Sequence, residues 1–237
     1  MRRPCLILTR DGLGGRAAGR QPRALAALKD CPGADLCYGL RMHPVALAAR
    51  YWPFANGSGR ILDRFGRGID LGTGERLARA SDGFKLHVRA DDLIGRHILL
   101  SGKFDRSIVE MLLGEARRGD VLLDIGANIG YVSACFLSRV PDARTICVEP
   151  QPGIVDLLER NMAQFGARAA IHKLALSDAA GELRFRIDEA NRGASRICDD
   201  GDIVVPAVHA GELLASIDRV DLVKIDHHAM RIAKGED

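Results

Sequence analysis

The chain has 237 residues, 47% of them apolar and 27% charged, and carries a formal net charge of +3. This is the profile of an ordinary globular protein with one good-sized domain plus an appendage, and with aromatics at 5% its core must rest on Leu, Ile, Val and Ala. The mild charge is scattered over many arginines with no dense basic run, which disfavours nucleic acid as a partner; no window nears the ~20 apolar residues of a membrane span, and the apolar run in MRRPCLILTRDG is too short for a signal peptide, so the default location is the cytoplasm.

Residues 1 to about 82 are rich in Gly, Arg and Ala and are broken by frequent turn formers. CLILT (Cys5–Thr9) suggests a strand, and PRALAALKD (Pro22–Asp30) and HPVALAARYW (His43–Trp52) suggest short helices. ANGSGR (Ala55–Arg60) and GIDLGTGER (Gly68–Arg76) suggest loops. GLGGRA (Gly12–Ala17) formally fits a dinucleotide fingerprint, but no second strand with a ribose-binding acid follows, so a plain turn is preferred. No fold is assigned to this region, and residues 83–237 are taken as a separate domain.

From Phe84 the pattern sharpens. FKLHVRADD alternates as an edge strand does, and Asp105–Gly119 reads as an amphipathic helix with Asp105 as N-cap, Gly119 at C′ and Arg117 and Arg118 in its last turn. Strands are expected at Asp120–Asp124, Arg144–Pro150, Ala170–Leu176, Gly181–Ile187, Asp202–Val208 and Val220–Asp226, with Pro206 marking an edge strand. Helices are expected at Gly130–Val140 and Gly153–Gly166. Apolar strands alternating with helices predict an α/β fold, a Rossmann-like parallel sheet covered on both faces. Right-handed crossovers place the first strand between the second and the Val220 strand. The six cysteines show no C-x-x-C pair, which argues against a zinc site or a disulfide framework; Cys135 and Cys147 read as small buried hydrophobes.

In such a sheet, ligands bind at the carboxyl ends of the strands where the strand order reverses. Asp124 ends the first strand, so the loop Gly126–Ala127–Asn128–Ile129–Gly130, followed by Tyr131, lies at that point. A dinucleotide fingerprint measured from Gly126 requires glycines at Asn128 and Tyr131, and both positions fail. An acid before the loop suits a cationic ligand rather than a pyrophosphate, and S-adenosylmethionine carries both an ammonium and a sulfonium. Glu149, 25 residues later, is placed to accept two ribose hydroxyls, and Ser177 and Asp178 to bond the adenine amine. Alternatives remain: a solvated strand end for Glu149, an ordinary cap or turn for Ser177 and Asp178. NRGAS (Asn191–Ser195) is either a loop over the ligand or a plain turn.

The stretches DIGANIGYVS, VEPQP, ERNM, ALSDAAGELRF, NRGAS and VDLVKID resemble, in order and spacing, the FkbM-type methyltransferases; the resemblance covers about Arg89 to Asp226. It implies a class I methyltransferase sheet that binds S-adenosylmethionine and methylates a hydroxyl of a sugar or another small molecule. After KID the family continues with Val-Glu-Gly, a helix and further strands, whereas here KIDHHAMRIAKGED (Lys224–Asp237) follows. The expectation is therefore a sheet incomplete at its C-terminal side, with an open edge on the Val220 strand and an uncovered apolar face. Three explanations stand: a truncated or frame-shifted relative, which is preferred; a partner or second copy that supplies the missing half; or an edge covered by the first 82 residues.

Methyl transfer to a hydroxyl rests on positioning helped by a general base. Asp226 is the first candidate for base or substrate orienter, His227 or His228 the second, against the alternative of an exposed histidine tail. Lys224 is read as a structural strand residue, and no metal ligand set is found. The rivals to a methyltransferase are a non-catalytic remnant that binds cofactor or a partner, and a nicotinamide-dependent oxidoreductase.

Overall fold

A computed structural model of the chain describes residues 6–9, 43–54, 57–188 and 195–226, and among these it forms eleven strands in three sheets. In chain order come β1 (Leu6–Thr9), α1 (Pro44–Arg50), α2 (Ser58–Phe65), a hairpin of β2 (Glu75–Arg79) and β3 (Lys85–Arg89), α3 (Leu93–Ser101) and α4 (Arg106–Glu115). Then follow β4 (Val121–Ile125), α5 (Tyr131–Arg139), β5 (Arg144–Val148), α6 (Pro152–Met162), β6 (Ala169–His172), β7 (Ala175–Ser177), β8 (Gly181–Arg186), β9 (Arg196–Ile197), β10 (Ile203–His209), α7 (Ala210–Ser216) and β11 (Leu222–Ile225).

The main sheet is parallel, in the order β1–β11–β4–β5–β6. As expected, β4 lies between β5 and β11, and the fold is Rossmann-like α/β. Every residue of β4 is buried, because both sheet faces are covered. On one face pack α4, α5, α6 and the hairpin, through Leu112, Phe136, Leu158 and Leu86. On the other, Leu123, Val148 and Val223 meet Leu176 of β7 and Leu213 of α7.

The structure corrects several expectations. The outer edge of β11 is not open: β1 pairs with it in parallel from Leu6↔Leu222 to Thr9↔Ile225, satisfying backbone groups that would otherwise stand unpaired. Nor is the second face bare, since β7, β10 and α7 cover it. The run Ala170–Leu176 breaks in two: β6 ends the main sheet, and burial of Leu174 and Leu176 against the second face carries β7 into a smaller sheet ordered β7–β10–β8–β9. Pro206 therefore lies in an interior strand, tolerated because β7 pairs only with Ala207–His209, so at Pro206 β10 has β8 alone as a partner.

Helix α4 stops at Glu115, short of Gly119; a turn in which Arg117 N–H donates to Asp120 Oδ2 (2.8 Å) replaces its last turn. Arg118 instead pairs with Asp142. Elements also lie where none was foreseen: β2, β9, α7, and α3, whose N-cap Asp92 accepts from the amides of Ile94 and Gly95. Helix α2 begins at Ser58, inside the expected loop. The candidate helix Pro22–Asp30, the turn Gly12–Ala17 and most of Asn191–Ser195 lie outside the described residues. Among the described residues no helix is long and apolar enough to cross a membrane.

The hairpin is bolted to the sheet through Asp82, whose side chain is 3% exposed and pairs with Arg106 of α4 (2.7 Å) and Arg139 of α5 (2.6 Å). Burial pushes its carboxyl up, but the two guanidiniums outweigh this and hold it below its ordinary value of 3.8. A depressed carboxyl contributes stability above its unfolded-state value and loses it as pH falls through the folded-state one. Asp82→Ala is expected to cost about 2 kcal/mol at pH 7 by urea denaturation, and the gap from wild type is expected to narrow as pH drops below 3.8.

Candidate functional site

The turn that follows β4 is built by left-handed backbone. Gly126 (φ 73°), Asn128 (φ 52°) and Gly130 (φ 83°) alternate with ordinary residues and reverse the chain into α5. The turn is clamped from three directions. The amides of Gly126 and Ala127 both donate to the Val148 carbonyl at the tip of β5 (2.9 and 3.1 Å). Asn161 of α6 donates to the Ile129 carbonyl (2.8 Å) while exchanging two hydrogen bonds with His87 of β3. From beneath, Lys224 of β11 donates Nζ–H to the Gly126 carbonyl (2.6 Å).

Lys224 also faces Asp124 Oδ1 at 3.0 Å, and Ser133 Oγ donates to Asp124 Oδ2 at 2.7 Å. Both charged residues are buried, Asp124 at 0% exposure. Burial alone disfavours a charged lysine, but Asp124, Asp226 and Glu149 outweigh it and raise the Lys224 ammonium above its usual range.

Glu149 follows β5 and is also buried. Its Oε2 accepts from the Asn128 amide (2.9 Å) and its Oε1 from the Gln151 amide (3.0 Å). Each oxygen keeps a lone pair for a further donor. Burial pushes the carboxyl up to about 7, against the pull of the two amides and Lys224 and with the push of the Asp226 charge. Asp226 is fixed at the end of β11 by its amide, which donates to the Ile125 carbonyl (2.8 Å).

These residues line one cleft. Gly126, Ala127, Asn128, Glu149, Lys224 and Asp226 form its sheet side; Ile94, Phe104 and Asp105 form the wall opposite, with Tyr131 between them. Phe104 is steadied by edge-on contacts with Tyr131 and His97. Burial pushes the Tyr131 phenol well up, so it stays protonated, 3.5 Å from the Gly102 carbonyl.

The structure thus brings Gly126, Ala127, Asn128, Tyr131, Glu149 and Asp226 to the same cleft. Asp124 is a correction: it lies beneath the turn rather than facing a ligand, because a carboxylate at full burial needs a buried counter-charge, and Lys224 supplies it. Gly130 faces back into the core, where an added Cβ would lie 2.7 Å from Met162 Cε and 2.8 Å from Leu158 Cδ1. Ser177 and Asp178 are outside the cleft lining, since β7 belongs to the smaller sheet; Ser177 Oγ donates to Asp178 Oδ1 (2.9 Å). His227 lies outside the described residues. Sequence reasoning missed the wall of Ile94, Phe104 and Asp105, and it missed the partnership of Lys224. The signal for the latter was available: Lys224 is the charge inside an otherwise apolar strand, and such a charge demands a buried opposite one.

No family model matches the chain. Over 136 residues it is 28% identical to the hexuronic acid methyltransferase AglP of Haloferax volcanii, covering 55% of this chain and 56% of that protein. It is 31% identical to the 2-O-methyltransferase NoeI of Sinorhizobium fredii, covering 46% of this chain and 44% of that one. It is 29% identical to a release factor glutamine methyltransferase of Geobacter sulfurreducens, covering 43% and 36%. The chain thus spans about half the length, or less, of these curated relatives.

Removing one member of the buried pair strands the other. Lys224→Met is expected to lower unfolding free energy by about 3 kcal/mol. Adding Asp124→Asn, which keeps the Ser133 hydrogen bond, is expected to recover more than half of that loss, read as non-additivity in urea denaturation of the single and double variants.

Proposed function

We propose that the chain is an S-adenosylmethionine-dependent methyltransferase of the FkbM type, acting on a hydroxyl of a sugar or another small molecule. The observation that carries this reading is Glu149: a buried carboxylate at the tip of the second sheet strand, held by the Asn128 and Gln151 amides and lining the cleft beside the glycine turn. A carboxylate so fixed, with a lone pair left on each oxygen, suits a vicinal diol, and a ribose presents one. The names of the relatives point the same way: one methylates a hexuronic acid and another acts as a 2-O-methyltransferase.

The donor set fits the cofactor. Gly126 and Ala127 let a ligand approach backbone, Glu149 takes the ribose, and the carboxylates of the cleft favour a cationic reacting group. When bound, the cofactor supplies an electrophilic methyl on a positively charged sulfur. Asp226, on the sheet side of the same cleft and anchored through its amide, orients the acceptor hydroxyl and takes its proton. Tyr131, Phe104 and Ile94 keep water from the reacting atoms. A pyrophosphate ligand is disfavoured by the same carboxylates, and by Asn128 and Tyr131 standing where a dinucleotide fingerprint needs glycine.

Calorimetric titration with S-adenosylhomocysteine tests the reading, with NAD as the contrast. Wild type is expected to bind the former and not the latter. Because Glu149 accepts two hydroxyls only when ionised, affinity is expected to tighten about tenfold from pH 6 to pH 8, as the carboxyl titrates near 7. Glu149→Gln is expected to weaken binding and flatten that profile. Absence of heat with S-adenosylhomocysteine at either pH contradicts the proposal.

A further inference from the structure

We propose that Phe54 and Lys103 form an acceptor subsite beside the cleft, where a carboxylate-bearing sugar lays the C–H face of its ring on Phe54 and its carboxylate on the Lys103 ammonium. The proposal rests on the methyltransferase reading above and names the class of its acceptor. The first ground is where these residues stand. Phe104 is a wall of the cleft, and Lys103 precedes it in the chain. Lys103 Nζ donates to the Trp52 carbonyl (3.3 Å), just beyond the end of α1. Trp52 in turn meets Phe54 edge-on, with ring centroids 5.7 Å apart. A second path joins the same two places. A Cβ built on Gly57 would lie 2.8 Å from Trp52 Nε1, and one built on Gly59 would lie 3.6 Å from His97 Cε1. The His97 ring then faces Phe104 edge-on at 6.0 Å. The aromatic patch and the cleft wall are therefore neighbours.

The second ground is the chemistry of the patch. Tyr51 and Phe54 are 67% and 66% exposed, two aromatic rings turned to solvent within four residues of chain, which marks a contact surface rather than a core. A sugar ring is apolar on its C–H face and polar at its rim, so it suits an aromatic ring flanked by a hydrogen-bond donor. Lys103 supplies the donor. It is half-buried, and among the described residues its ammonium donates to the Trp52 carbonyl and makes no ion pair, which leaves N–H groups for a ligand. The carboxylates whose charge reaches it, Asp82 and Glu110, are both bonded to Arg106 (2.7 and 2.6 Å). Burial and the guanidiniums of Arg106 and Arg50 pull the ammonium below its ordinary value, and an arriving carboxylate relieves that repulsion. A protein partner fits less well, because lysine is depleted from protein interfaces.

The test titrates the full chain, saturated with S-adenosylhomocysteine, with the methyl glycosides of glucuronic and galacturonic acid and with those of glucose and galactose, read by ligand-observed NMR. Wild type is expected to bind the acidic glycosides about fivefold more tightly than the neutral ones. Lys103→Met, which keeps the apolar stem, is expected to erase that preference, and Lys103→Arg, which keeps the charge, to retain it. Phe54→Ala, at an exposed position, is expected to weaken all four glycosides about fivefold with the melting temperature unchanged. Affinity for S-adenosylhomocysteine is expected to stay within about twofold of wild type in every variant, which separates a lost acceptor subsite from a damaged fold. Equal binding of acidic and neutral glycosides by wild type, binding of none of the four, or a preference that survives Lys103→Met overturns the proposal and leaves the methyltransferase reading standing. Attachment to anionic phospholipid vesicles in place of the glycosides does the same. Failure of wild type to bind S-adenosylhomocysteine overturns that reading and this proposal with it.

Discussion

Two opposite charges, Lys224 and Asp124, are buried against each other beneath a glycine turn, and the ligand end of the sheet takes its shape from them. Removing either charge from water costs several kcal/mol. Their mutual attraction offsets this only because each has further partners: Ser133 for the carboxylate, the Ile125 and Gly126 carbonyls for the ammonium. An apolar pair of similar volume can be as stable or more so, so the benefit of the ions here is positional. A lysine reaching from β11 across to the end of β4 fixes where the turn's carbonyls point, and hence which surface its backbone offers to the cleft.

The rest of the site follows from that fixed turn. With Gly126 and Ala127 also clamped to the Val148 carbonyl, the Asn128 amide is left aimed at Glu149. Glu149 is then confined in a site dry enough to hold its proton to about 7, so its charge is sensitive to small changes in surroundings near neutrality. Asn161 joins the turn to the hairpin, and Asp82 joins the hairpin to α4 and α5, so the wall carrying Phe104 and Asp105 is tied to the same framework as the sheet side. A ligand entering the cleft meets two sides held by one network.

The sheet was legible because its strands are short apolar runs bounded by acids and glycines, a pattern with few other foldings. The left-handed turn was legible from Gly126, Asn128 and Gly130 for the same reason: few residue types tolerate that backbone. What the sequence hid is long-range. Asp124 and Lys224 lie 100 residues apart, and an acid before a loop reads alike whether it faces solvent or a buried lysine. The break after His172 was hidden because Leu174 and Leu176 continue the apolar run while changing the face they cover. The role of β1 was hidden because a four-residue strand in a region rich in breakers carries no sign of where it pairs. Pro206 misled because it reports one missing partner locally, whereas the strand as a whole has two. The cleft wall was missed because Ile94, Phe104 and Asp105 carry no spacing that marks a site.

The central claim is that the turn pinned by Lys224 and Asp124 is the floor of an adenosyl-binding cleft. Backbone amide NMR of the labelled chain, titrated with S-adenosylhomocysteine, tests it most directly. The account predicts shift changes concentrated at Gly126–Gly130, Glu149 and Asp226, and at Asp105 on the opposite wall. Changes centred on the smaller β7–β10 sheet or elsewhere, with the Gly126–Gly130 amides unmoved, contradict it.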